Sequence, residues 1–421
     1  MTSEDRITTF RLDSDRGVVW RRIAKSNGRV VQTAFGMNGL LDRKQRPATQ
    51  HALADLADAA FLRKKQQPKT VKRRRVVRIV DLFSGCGFMT LGVTEALRAL
   101  GCNPRPVMAF DTNEDALRVF KLNFPTAATE SKDIRDMLYG TMSARLSREE
   151  RLLKKTLKRV DIAMAGPPCQ GHSDLNNHTR RHDPKNGLYF RVARFAKVIR
   201  PTHLIIENVP AVLHDKGHVV SRTRRALEAL GYSVDEGTVR LTDLGVPQTR
   251  RRHVMVASLT RDLCLADIVE SHRSQSRSVR WAIGDLRRRD RAELLHTVAR
   301  QTKTTAKRIG YLFEHRCYEL PNHQRPRCHR DNNHTYKSVY GRLRWREPAQ
   351  TITSGFMCMG QGRFVHPAAR RTLTPREAAR LQFIPDFFQF GNDIGLAALA
   401  EMIGNAVPPK LTYVLALELF R

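Results

Sequence analysis

Cys169 is set apart from the other cysteines by its neighbours. Ala165-Gly166-Pro167-Pro168-Cys169-Gln170 follows a short apolar run, Ile162–Ala165. Two prolines in succession stiffen the backbone, so the Cys169 thiol is predicted to project from the carboxyl end of a strand. With positive charge nearby its pKa would fall and it could act as a nucleophile. The alternative is an inert core cysteine, but Pro-Pro-Cys-Gln running into a polar loop is a poor core segment. A second apolar run, Leu204–Ile206, ends in Glu207-Asn208-Val209-Pro210 and sets a carboxylate at another strand end. A solvated helix cap is the alternative there. A third stretch, Gln248-Thr249-Arg250-Arg251-Arg252, precedes the apolar Val254–Ala257. Strand alternation puts Arg250 and Arg252 on one side, where two guanidiniums can hold a phosphate or a pyrimidine oxygen. The alternative is a basic surface strand.

A different chemistry is suggested upstream. Val76–Leu82 runs into Phe83-Ser84-Gly85-Cys86-Gly87 and then a helical pattern. Glycines at a strand-to-helix turn let backbone N–H groups approach a ligand. Asp111 ends the run Val107–Phe110, roughly 20 residues on, where an acid can bind ribose hydroxyls. The turn alone fits a dinucleotide, S-adenosylmethionine or no ligand at all. With Asp111 it favours an adenosine-containing cofactor.

These residues need a scaffold, and the pattern supplies one. From residue 76 short apolar runs alternate with helical stretches at 89–100, 114–123, 188–199 and 220–230, which argues for a parallel, doubly wound sheet. The alternation fails between about 259 and 340, a stretch rich in Arg, His, Asn and Gln, and helical patterning returns at 374–383 and 408–419. Ahead of all this, residues 1–75 read as strands at 8–12 and 17–23, a helix at 49–63 and a basic run, Lys72 to Arg75. That segment is either an accessory DNA-binding module or a solvated, partly ordered extension. The 421 residues carry a net charge of +33, spread along the chain, which points to a polyanionic partner. No apolar run is long enough to span a membrane, and the N-terminus lacks an apolar signal core. Seven cysteines without framework spacing suit a reducing compartment.

Taken together, the ordered motifs resemble the cytosine-C5 DNA methyltransferase family. The stretches that carry the resemblance are Asp81–Gly87, Gly166–Gly171, Glu207–Pro210, Gln248–Arg252 and Gly404-Asn405-Ala406-Val407-Pro408-Pro409, supported by Gly341–Leu343, Thr351–Thr353 and Leu373–Gln382. The match covers residues 76–421 and says nothing of 1–75. It implies an α/β fold: a Rossmann-like methyltransferase sheet with a smaller, irregular target-recognition domain and an N-terminal extension. The expected domains are 1–75, the catalytic domain 76–258, the target-recognition domain 259–370, and C-terminal helices 371–421 that complete the catalytic domain.

The resemblance also assigns roles. The nucleophile falls on Cys169, the base-binding acid on Glu207, and the active-site arginines on Arg250 and Arg252. S-adenosylmethionine contacts fall on Phe83, Gly85 and Gly87, on Asp111 for the ribose and on Asp133 for the adenine. Pro168, Leu188, Asn405 and Val407 are further contacts. Phe88 stands where the family's turn usually carries another glycine, which bears on the methionine end of the pocket. The implied partner is double-stranded DNA, with the target cytosine flipped out and the polar loop Gly171–Asn186 closing over it. The family suggests a cytoplasmic, nucleoid-associated, monomeric modification enzyme, paired with a separately acting restriction endonuclease. A transfer-RNA cytosine-5 methyltransferase shares these motifs, and a catalytically inactive DNA-binding regulator is the reading from another class. His315, Cys317, His323, Cys328, His329 and His334 have the side chains of a zinc site, but their spacing matches no standard one and no metal is expected.

Overall fold

The apolar runs of the sequence become the strands of one buried sheet. The computed structural model describes residues 8–37, 40, 49–68, 75–168, 187–286, 294–330 and 339–421. Strands β1 (Thr8–Asp13), β2 (Val18–Ala24) and β3 (Val30–Gly36) form an antiparallel meander, followed by α1 (Gln50–Leu62). A second sheet contains β4 (Val76–Leu82), β5 (Asn103–Phe110), β6 (Ala128–Glu130), β7 (Ile162–Ala165), β8 (His203–Asn208), β9 (Ser233–Arg240) and β10 (Arg251–Ser258). Its strand order is β6-β5-β4-β7-β8-β10-β9. The intervening helices are α2 (Phe88–Ala99), α3 (Glu114–Asn123), α4 (Ile134–Met137), α5 (Arg148–Leu157), α6 (Gly187–Ile199) and α7 (Val219–Ala229). After β10 come α8 (Leu265–Ser271), α9 (Val279–Ile283), α10 (Lys303–Glu314), α11 (Arg327–Arg330), α12 (Pro375–Leu381), α13 (Leu396–Asn405) and α14 (Pro409–Phe420).

Strands β4 to β8 pair in parallel, but β10 is antiparallel to both β8 and β9. The departure of β10 from parallel pairing has a geometric reason. Only residues 241–250 join β9 to β10, too few for the helical crossover that a parallel pair needs. Alternate residues of the strands feed two cores. Ile79, Ile162, Ile205 and Val254 pack with Val93, Leu97, Val414 and Leu415 of α2 and α14. Val80, Ala163, Ile206 and Met255 face Val192, Phe195 and Leu227 of α6 and α7. Helices α2 and α14 cross closely because of Gly92, where an added Cβ would lie 2.1 Å from the Pro409 carbonyl oxygen.

Residues 259–370 divide between two surroundings. Leu265, Ile268, Val279 and Ile283 of α8 and α9 are buried in the cores of the large sheet and of the C-terminal helices. Ile309, Leu312, Leu320, Val339, Tyr340, Met359 and Val365 form a separate small core around α10. The helix expected at 49–63 is not a solvated element. Thr49 caps α1, Leu53 and Leu62 are buried, and the Phe61 ring stacks 6.2 Å from that of Phe383. Arg277, itself buried, reaches Asp55 at 2.6 Å and Asp58 at 2.8 Å across that contact. Lys72, Arg73 and Arg74 lie outside the described residues. Among the described residues no helix is long and apolar enough to cross a membrane.

Candidate active site

Two groups of residues meet at the carboxyl edge of the large sheet, and they are built differently. The first is mostly backbone. After β4 the chain turns with positive φ at Phe83 (58°), Gly85 (51°) and Gly87 (94°), then enters α2. Gly85 N–H donates to Asp111 Oδ2 at 2.7 Å, and Asn113 N–H donates to Asp111 Oδ1 at 2.9 Å. Burial raises the Asp111 pKa and these backbone N–H groups oppose the rise. Behind the turn, Thr90 Oγ1 donates to the buried Asp81 carboxyl at 2.6 Å, tying α2 to β4. Burial pushes Asp81 up to about 7.

Phe88 does not reach the open side of the turn. Its ring is buried 4.9 Å from Phe388 and 6.2 Å from Phe390. The departure from the family's glycine is thus accommodated by packing against the 387–390 segment. Asp133 caps α4, accepting from Arg135 N–H at 2.8 Å and pairing with the Arg135 guanidinium at 2.7 Å. Leu188 is buried in the first turn of α6, while Asn405 is exposed at the end of α13 and Val407 is half-buried just beyond.

The second group is built from side chains. Glu207 on β8 and Arg252 on β10 sit on paired strands, and Arg252 Nε lies 2.5 Å from Glu207 Oε1. Both are largely buried. Burial raises the Glu207 pKa, with Arg252 and then Arg250 pulling the other way. Asn208, next to Glu207, donates from Nδ2 to the Pro167 carbonyl oxygen at 3.2 Å. A Cβ built on Gly166 would lie 3.9 Å from Glu207 Oε2. The Gly-Pro-Pro segment therefore runs directly beside the Glu207 carboxylate. Cys169 itself, and the loop Gly171–Asn186, lie outside the described residues; Pro168, partly buried, is the last described residue before them.

Arg250 is buried and aimed at main chain. Its Nη1 donates to the carbonyl oxygens of Ile352 at 2.8 Å and Gly404 at 3.4 Å. It ties β10 to the segment before Asn405, so the two expected arginines have different surroundings. Three amides that sequence reasoning did not single out complete this framework. Besides Asn208, fully buried Gln248 donates from Nε2 to Gln382 Oε1 at 2.6 Å and accepts from Ile352 N–H at 3.0 Å. Gln382 in turn donates to the Ile403 carbonyl at 2.7 Å. The available signal was a Gln or Asn inside an otherwise apolar or motif-bearing segment, which has to find partners if buried.

The His/Cys stretch has other surroundings. The ring of His315 lies 4.0 Å from Tyr311, and His329 lies edge-on 5.2 Å from Tyr340. Among the described residues no three His, Cys, Asp or Glu side chains come together as a metal-ligand set; His334 lies outside them.

The sheet order and the strand-end site define an α/β enzyme with a mostly parallel sheet. The family model of C-5 cytosine-specific DNA methylases matches residues 77–421, and the chain belongs to that family. It is 47% identical over 369 residues to the Type II methyltransferase M1.BsuMI of Bacillus subtilis, covering 88% of this chain and 86% of that one. It is 26% identical to the Type II methyltransferase M.DdeI of Desulfomicrobium norvegicum, over 81% of this chain and 88% of the relative. Among solved structures, a putative DNA modification methyltransferase encoded within an Escherichia coli prophage shares the fold. It has a TM-score of 0.56 at 20% identity and covers 81% of this chain and 97% of that one. The Dnmt2 methyltransferase of S. pombe has a TM-score of 0.56 at 16% identity, over 82% and 98% of the two chains.

Proposed function

We propose that this DNA (cytosine-5) methyltransferase uses S-adenosylmethionine to methylate carbon 5 of a cytosine flipped out of duplex DNA, with Cys169 as its covalent nucleophile. The observation that carries the reading is the Glu207–Arg252 pair lying beside the Gly166-Pro167-Pro168 segment that leads into Cys169. Carbon 5 of cytosine is a poor nucleophile while the ring is aromatic. Attack of the Cys169 thiolate forms a bond to carbon 6 and moves an electron pair toward carbon 5. A raised Glu207 pKa keeps a proton available for ring N3, which neutralises the charge that develops there. Arg252 holds the Glu207 carboxyl in place and offers its remaining N–H donors to the O2 oxygen. Arg250, bound to main chain at 352 and 404, acts as a positioning residue.

The residues present fit the cofactor. The glycine turn presents backbone N–H groups at the start of α2, and the Asp111 carboxylate retains lone pairs beyond its two backbone bonds. Asp111 would hold the ribose hydroxyls, Asp133 the adenine, and Phe83, Leu188, Asn405 and Val407 the remaining walls. When bound, S-adenosylmethionine supplies a methyl group made electrophilic by its sulfonium charge. Methyl transfer to carbon 5 would release S-adenosylhomocysteine, and loss of the C5 proton to water would return its electron pair to the ring, breaking the carbon 6–sulfur bond and freeing Cys169. The small core around α10 reads the duplex sequence, the 171–186 loop closes over the flipped base, and a cognate restriction endonuclease acts on the same sequence.

Incubation with tritiated S-adenosylmethionine, mixed-sequence duplex DNA or total transfer RNA, and a Cys169→Ala control tests the proposal. Label is expected in DNA as 5-methylcytosine and absent in the control. Label in transfer RNA alone, or in neither substrate while cofactor still binds, rejects it.

A further inference from the structure

Away from the active site, the N-terminal meander and α1 do not close flush against α2 and α14. Between them lies a partly open cavity of about 560 Å³. Packed protein interiors rarely leave voids larger than a water molecule, whereas sites for small organic ligands commonly span ~300–1,000 Å³. One part of the wall is apolar, formed by Phe10, Phe35, Phe61, Ala54, Val414 and Leu417. The charged part is uneven. Its acids are already taken: Asp58 by Lys410 at 2.7 Å and Arg277 at 2.8 Å, Glu95 by Arg98, and Glu270 by Arg273 at 2.7 Å.

Arg21, which lines the same cavity, has no such partner among the described residues. Its Nη1 donates to the Tyr413 hydroxyl at 2.5 Å and its Nη2 makes a long 3.4 Å bond to Thr33 Oγ1. Its Nε is buried with no hydrogen-bond partner. The guanidinium is held by the faces of Phe35 and Tyr413, 5.0 and 5.7 Å from the two ring centres. Exposed Lys64, also on the wall, forms no ion pair among the described residues. The partly buried Arg21 guanidinium keeps a donor, Nε, that an anion can satisfy, and among the described residues no acid of the cavity wall is left to provide one.

We propose that this cavity is a binding site for an amphipathic organic monoanion, its apolar body against the phenylalanine wall and its acid group on Arg21. The site lies outside the residues that carry methyl transfer and is formed with a segment, 8–68, that precedes the family match at residue 77.

The probe is 8-anilinonaphthalene-1-sulfonate, an aromatic body with a single sulfonate, titrated into the full-length folded protein by fluorescence and calorimetry. One saturable site is expected. Binding should weaken about tenfold in Arg21→Met, which removes the cation but keeps side-chain bulk. It should be abolished in Ala54→Trp, which fills the cavity from α1. The neutral analogue N-phenyl-1-naphthylamine should bind wild type and Arg21→Met alike. Melting temperature and methylation of DNA serve as controls that each variant is folded. Unsaturable binding, or equal affinity of wild type and a folded Ala54→Trp for the sulfonate, overturns the site. Unchanged affinity in a folded Arg21→Met overturns the assignment of the anion to Arg21.

Discussion

The two halves of the active site answer different demands. The half on β4 and β5 is made of backbone: positive φ at Gly85 and Gly87, and N–H groups that converge on Asp111. The half on β8 and β10 is made of buried charge, with Glu207 and Arg252 joined at 2.5 Å and Arg250 fixed to main chain. A backbone cradle is sensitive to any added atom and indifferent to the charge of a neighbour. A buried ion pair is sensitive to pH and to the loss of either partner. The first suits a cofactor of fixed shape; the second suits a base on which charge appears during the reaction.

Variants can break this contrast, beginning with the largest effect. Arg252→Met should leave the buried Glu207 without its ion-pair partner, costing ~3–5 kcal/mol of stability in urea denaturation at a pH above the Glu207 pKa, where the acid is charged. Glu207→Gln should lower kcat by ~10²–10³ with little change in the KM for cofactor, as expected for loss of a group that acts on developing charge. It should also remove a pH dependence. Burial raises the Glu207 pKa, so wild-type kcat should fall as pH rises through a carboxyl pKa above the ordinary value, and the Gln variant should lack that limb.

On the backbone side, Gly87→Ala should raise the cofactor KM at every pH and cost ~1–3 kcal/mol, because φ is 94°. Its Cβ would also lie 2.7 Å from the rings of Phe120 and Phe124. An equal loss of kcat with unchanged cofactor KM would erase the contrast. An effect on stability alone, outside the active-site contrast, is expected at Asp81, whose pKa of about 7 lies above its ordinary 3.8. Between those values the folded protein holds a proton that the unfolded chain has lost. The group's stability contribution is therefore full below about pH 4 and declines as pH rises toward 7. Asp81→Asn should flatten that decline, a slope of at most ~1.4 kcal/mol per pH unit.

Much of this arrangement could be read from residue order. Val76–Leu82 and Leu204–Ile206 are apolar runs bounded by turn residues, and each became a buried strand carrying its motif at the carboxyl end. The strand β3 was not read from local pattern, although Val31, Thr33 and Phe35 alternate with small or polar residues as a half-buried strand does. Nor did local pattern reveal the antiparallel turn of β10, which follows from a connection too short for a crossover. In the site, charged residue types were conspicuous, but partners distant in sequence were not. That Arg250 bonds to Ile352 and Gly404, that Gln248 bonds to Gln382, and that Phe88 packs on Phe388 depend on contacts 100 or more residues away. No periodicity encodes such contacts. The same holds for α1, whose docking rests on Arg277 and Phe383.

Covalent attack by Cys169 is the central claim, and trapping tests it most directly. Duplex DNA carrying 5-fluoro-2′-deoxycytidine at cytosine positions can be attacked at carbon 6 and methylated at carbon 5, but it has no C5 proton to release. With S-adenosylmethionine present, a denaturation-resistant protein–DNA adduct should accumulate, and peptide mapping should locate it at Cys169. No adduct should form with Cys169→Ala. Methylation of ordinary duplex DNA without any adduct on the fluorinated duplex, or an adduct that persists in Cys169→Ala, would contradict the account.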